Sequence, residues 1–121
     1  MNFKEPKAIY LQIADRISEE ILQQVYGEEQ RIPSVREYAA MVEVNTNTAM
    51  RSYEYLQNAG IIYNKRGIGY FVSPQAVEII RSLRRNQFFT VELPECFRQA
   101  CLLGMSPDEL KERFIQYIKP Q

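Results

Sequence analysis

Residues 32–56, IPSVREYAAMVEVNTNTAMRSYEYL, contain two helix starts with almost nothing between the helices they open. The first is Ser34-Val35-Arg36-Glu37, with Pro33 just outside it. This is an S-x-x-E capping box, in which a hydroxyl and a carboxylate satisfy each other's free backbone N–H groups. The second is Asn45, whose short side-chain oxygen suits an N-cap, followed by the polar run Thr46-Asn47-Thr48. Between the two helices, Met41-Val42-Glu43-Val44 holds neither Gly nor Pro and leaves length only for a tight turn. Two short helices joined in this way read as a helix-turn-helix. In that motif the second helix enters the DNA major groove with its first residues at the base edges. Asn45, Thr46, Asn47 and Thr48 are the small polar side chains that such a position needs.

The flanking sequence extends the motif. Over residues 8–25, Ile9, Ile13, Ile17, Ile21 and Val25 recur every fourth residue and predict an amphipathic helix, with Pro6 marking its start and Gly27 at its cap. The second helix, residues 34–41, turns Val35, Tyr38, Ala39 and Val42 inward. The third, residues 45–59, turns Ala49, Tyr53 and Leu56 inward and ends at Gly60. Ile61-Ile62-Tyr63 and Tyr70-Phe71-Val72 flank Asn64-Lys65-Arg66-Gly67-Ile68-Gly69, a β-hairpin pattern, and Arg31-Ile32 can add a single strand residue. Lys65 and Arg66 at the hairpin tip suit a phosphate or a minor groove. Helix, helix, helix, hairpin is the order of a winged helix-turn-helix, assigned to residues 1–73.

Residues 74–121 follow a different pattern, all helical. An apolar stripe runs from Ala76 through Ile80 and Leu83. Pro94 either kinks a continuing helix or sits in the first turn of a new one. Ser106-Pro107-Asp108-Glu109 opens a last helix. Three short helices with this much apolar surface and no sheet to cover it call for a partner chain. Ile80, Leu83, Phe88, Phe97, Leu103 and Phe114 are the candidates for that interface. The segment is too short to enclose a drug-sized ligand, which needs about 300–1,000 Å³. Cys96 and Cys101 read as two small core thiols. The chain has no His, so no metal site is expected, and no cofactor is called for.

The fold class is therefore mainly α with a small β-hairpin: an N-terminal winged helix-turn-helix and a short all-helical dimerisation tail. The formal net charge of the 121 residues is zero, which counts against nucleic-acid binding in bulk. Charge distribution tells more. Over residues 30–71 the bases Arg31, Arg36, Arg51, Lys65 and Arg66 face only Glu37, Glu43 and Glu54, so a local basic face can form. No apolar run is long enough for a membrane span and no signal peptide is read, so a cytoplasmic protein is expected. Without His, a Gly-rich phosphate loop or a nucleophile elbow, the chain does not read as an enzyme. The rival reading is a winged helix used only as a protein-interaction module.

Five motifs in order resemble the GntR family of bacterial transcription regulators. They are Ile9-Tyr10-x-Gln12-Ile13; Ile32-Pro33-Ser34-Val35-Arg36-Glu37-x-Ala39; Val44-Asn45-x-Asn47-Thr48-x-x-Arg51-x-Tyr53-x-x-Leu56; Gly60-Ile61-Ile62; and Gly67-x-Gly69-Tyr70-Phe71-Val72. The short helical tail, with Leu93-Pro94-Glu95 and Gly104-Met105-Ser106, resembles the YtrA-type subfamily. The resemblance implies a homodimer that binds an inverted-repeat operator in double-stranded DNA, usually as a repressor, with the tail serving dimerisation. It places Ser34 and Arg36 at phosphate or base, puts Asn45, Thr46, Asn47, Thr48 and Arg51 on the recognition helix, and assigns Arg66 and Gly67 to the wing. Thr46 departs from the Arg or Pro common there, and it cannot make the bidentate guanine contact of an Arg. No effector is identified by these residues.

Overall fold

The computed structural model describes residues 7–119; the helix-start reading of Pro6 lies outside them. Contacts divide the chain into two compact units at Ser82/Leu83. The first holds α1 (Ile9–Leu22), α2 (Val35–Val42), α3 (Thr46–Asn58), β1 (Ile62–Lys65), β2 (Gly69–Val72) and the start of α4 (Ala76–Gln87). The second holds the rest of α4, a π-helical turn (Phe88–Glu92), α5 (Leu93–Leu102) and α6 (Pro107–Ile118).

Local chemistry sets the helix ends. Ser34 and Glu37 form both halves of the capping box, with Glu37 N donating to Ser34 Oγ at 3.1 Å and Ser34 N donating to Glu37 Oε1 at 3.0 Å. Asn45 Oδ1 accepts from Asn47 N at 2.7 Å and caps α3. Gly60, at φ 83°, closes α3 with Ile61 N bonded back to Leu56 O at 2.9 Å, the six-to-one bond of a Schellman motif. The same motif ends α1 earlier than Gly27. Gln24 takes the left-handed position at φ 64°, and Val25 N bonds Glu20 O at 2.8 Å. Val25, past this cap, is consequently exposed, and Ile9 at the other end of the expected apolar stripe is exposed too. The turn between α2 and α3 is made by Glu43 in the left-handed region at φ 58°.

The strands pair antiparallel with Ile62 opposite Val72 and Lys65 opposite Gly69. The other edge of β2 is covered by residues 29–32. Ile32 N donates to Tyr70 O and Val72 N to Gln30 O, both at 2.9 Å, and Arg31 bridges Phe71. The single strand residue expected at Arg31-Ile32 is this bridge.

Ile13, Ile17 and Ile21 of α1 pack with Tyr38, Val42, Tyr53, Leu56, Ile61 and Ile62 into one core. Each such side chain contributes about 1.5–3 kcal/mol by leaving water. Two buried phenols keep their oxygens satisfied: Tyr38 donates to Glu20 Oε1 at 2.7 Å and Tyr53 to Pro33 O at 2.6 Å. Burial pushes both hydroxyls well above the ordinary tyrosine range, so both stay protonated donors.

The core does not stop at Pro74. Ala76 and Ile80 are each 1% exposed and belong to it. The first unit runs past residue 73 into α4, and Ile80 is a core residue of that unit rather than a free interface residue. An apolar stripe shows that a helix buries a face, but not against what.

In the second unit the helical backbone passes Pro94 without a break. Gln87 and Leu93 both keep α-helical dihedrals on either side of the π turn. A proline ring clashes with the carbonyl four residues back, and the π turn spans Thr90, the residue that carries that carbonyl. Ser106 Oγ caps α6 by accepting from Glu109 N at 3.1 Å. Of residues 83–119 only Ala100 is buried. Cys96 and Cys101, expected in a core, are both exposed. They line an open apolar groove of about 920 Å³ together with Phe88, Leu93, Phe97, Leu110 and Phe114. The helices of this unit cover too little of one another to bury these thiols within one chain.

Candidate nucleic-acid interface

The expected site residues fall on three features of the first unit. At the start of α2, Arg36 is exposed, and Ser34 is half-buried with its oxygen already accepting the Glu37 amide. The Ser34 backbone and hydroxyl groups hold the Glu37 carboxyl below the usual carboxylate range, so its charge persists to lower pH than a free glutamate's.

On α3, Thr46, Asn47 and Arg51 are exposed and Thr48 is half-buried. Asn45 uses its side-chain oxygen for the cap and keeps both hydrogens of its amide nitrogen to donate to a partner. Ala49, Ser52, Tyr53 and Leu56 face inward and fix the helix by its other side. Met50 is 37% exposed on the outer face, an apolar group beside Thr46 and Asn47.

The hairpin carries the third feature. Ile68 N bonds Lys65 O at 2.8 Å, closing a turn with Arg66 and Gly67 at its centre. Gly67 has φ 78°, the left-handed value that a type II turn needs at its third residue. Arg66 is exposed at this tip. Lys65 is less free, because its ammonium lies 4.5 Å from the centre of the Phe71 ring. Phe71 in turn stacks on Tyr63 at 5.9 Å.

Three residues absent from the expected site also shape it. Tyr10 lies under Arg51, with the guanidinium carbon 4.2 Å from the ring centre. Ser52 Oγ donates to Tyr10 O at 2.7 Å and joins α1 to α3. Arg31 lies across the hairpin against Gly69, where an added Cβ would be 2.8 Å from Arg31 Nε. Arg31 is one of the local bases of residues 30–71; the first two contacts span too much sequence for any periodicity to show. Among the described residues no cluster of His, Cys, Asp or Glu could hold a metal ion.

A capped helix, a second helix with an exposed polar start, and a basic-tipped hairpin define a winged helix-turn-helix DNA-binding domain. Residues 9–72 match the family described as bacterial regulatory proteins, gntR family. The chain belongs to the GntR family of bacterial transcription regulators. It is 37% identical over 111 residues to YhcF, an HTH-type transcriptional regulator of Bacillus subtilis, covering 91% of this chain and 89% of that protein. It is 37% identical over 68 residues to YtrA, an HTH-type transcriptional repressor of Bacillus subtilis, over 56% of this chain and 52% of that one. A solved GntR-family regulator from Bacteroides thetaiotaomicron is 55% identical with a TM-score of 0.74, over 92% of this chain and 96% of that one. The YtrA match supports the YtrA-type resemblance, and the winged-helix fold with its C-terminal helices agrees with these structures. The chain is thus a DNA-binding transcription regulator, which decides against the enzyme and protein-interaction readings. No described helix is long and apolar enough to cross a membrane.

Proposed function

We propose that this regulator is a homodimeric repressor that binds an inverted-repeat operator. Each head inserts the start of α3 into a major groove. In this reading Thr46, Asn47, Thr48 and the Asn45 amide meet base edges, Ser34, Arg36 and Arg51 meet phosphate or base, and Lys65, Arg66 and Gly67 form the wing contact. The observation that carries the dimer is the tail. Among residues 83–119, Phe114 is 65% exposed, Leu103 75% and Phe97 48%, with one buried residue in the whole stretch. Exposed apolar surface of this extent is characteristic of an interface. Leu83, Phe88, Phe97, Leu103 and Phe114 form it, without Ile80. The repressor reading is supported by the likeness to YtrA, itself a repressor. A regulator of this family works on the chromosome, so the proposal places it in the cytoplasm.

Mobility shift with fragments from the promoter of its own gene tests the reading. Specific retardation, resistant to excess unrelated DNA, is the expected result. Equal retardation of all fragments would count against an operator there.

A further inference from the structure

Arg51 is the one basic residue of α3. Among the described residues no carboxylate forms an ion pair with it. Its partner is instead the face of Tyr10, at 4.2 Å. Tyr10 belongs to the first turn of α1, and its carbonyl accepts the Ser52 hydroxyl at 2.7 Å. Ser52 itself is fully buried. One turn of α1 therefore grips two successive residues of α3, by a main-chain oxygen on Ser52 and by a ring on Arg51.

The two grips do different things. The Ser52 bond fixes the helix. The ring fixes a side chain that would otherwise sample many rotamers. An arginine laid on an aromatic face keeps its N–H groups, because they lie at the edge of the guanidinium plane and the ring covers only its face. Part of the ordering that DNA binding demands is then complete before DNA arrives.

We propose that Tyr10 is a positioning residue for DNA recognition: its ring pre-orients the Arg51 guanidinium so that the N–H edge meets the DNA. This rests on reading Arg51 as a DNA contact. An exposed cation–π contact of ordinary strength corresponds to about threefold in affinity per subunit, or roughly tenfold for two subunits on one operator.

A double-mutant cycle tests it, using full-length chains and a duplex selected from a random-sequence pool by the wild-type chain. Tyr10→Leu should weaken binding by roughly tenfold with Arg51 present and change it less than twofold in an Arg51→Ala background. Tyr10→Phe, which keeps the ring, should bind within about twofold of wild type. If Tyr10→Leu fails to fold by circular dichroism, Tyr10→Gln takes its place. Equal losses in both Arg51 backgrounds, or no loss in either, would overturn the proposal, as would Tyr10→Phe losing as much as Tyr10→Leu. If Arg51→Ala alone leaves affinity unchanged, the reading of Arg51 as a contact has failed, and the proposal with it.

Discussion

Single side chains at the interface divide by what already holds them. Arg36 and Arg66 are exposed and have no ring contact among the described residues, whereas Lys65 is drawn over Phe71. A base that is not held elsewhere can reach a phosphate without first giving up a partner. Arg36→Ala should therefore weaken binding to all sequences alike and flatten the dependence of log affinity on log salt by about one unit per contact in each subunit. At the wing, Arg66→Ala should cost more than Lys65→Ala. Titrations at several salt concentrations check both. An unchanged salt slope for Arg36→Ala, with circular dichroism intact, would mean that the start of α2 does not face DNA.

At the scale of elements, what could be read from sequence was what is local. Ser34 with Glu37, Asn45, Gly60 and Ser106 each declare a helix end through groups a few residues away, and each acts as expected. Gln24 and Glu43 could not be read this way. Both adopt left-handed dihedrals that side chains of their kind avoid, because the packing of the flanking helices dictates where the chain must turn. The strain at Glu43 is testable. Glu43→Gly removes the Cβ clash at φ 58° and should stabilise the chain by about 1 kcal/mol, a figure reduced by the extra freedom glycine gains when unfolded. Urea denaturation measures it. Destabilisation would show that the Glu43 side chain contributes more than its backbone costs. The hold of Tyr10 on Ser52 spans 42 residues, and no window-based pattern reports it.

For the whole molecule, the sequence showed an apolar tail but not which apolar groups the chain covers itself. Ile80 is buried in the core of the first unit; Phe97, Leu103 and Phe114 are exposed. Cutting the chain separates these cases. A fragment of residues 1–82 should unfold cooperatively. A fragment of residues 1–73 should be less stable by at least about 3 kcal/mol, since it loses the burial of Ile80 and Ala76. Equal stability of the two would remove α4 from the head's core. Both fragments should sediment as monomers if the tail carries the dimer, and bind DNA much more weakly than the full chain, because linking two half-site readers raises avidity without new contacts. Two heads reading one operator leave a footprint, and hydroxyl-radical cleavage of the selected duplex in the presence of the full-length chain reads it. Two protected patches should appear on one face of the DNA, related by two-fold symmetry, with centres about 10–10.5 base pairs apart or a multiple of that. A single unsymmetric patch at saturating protein would contradict it.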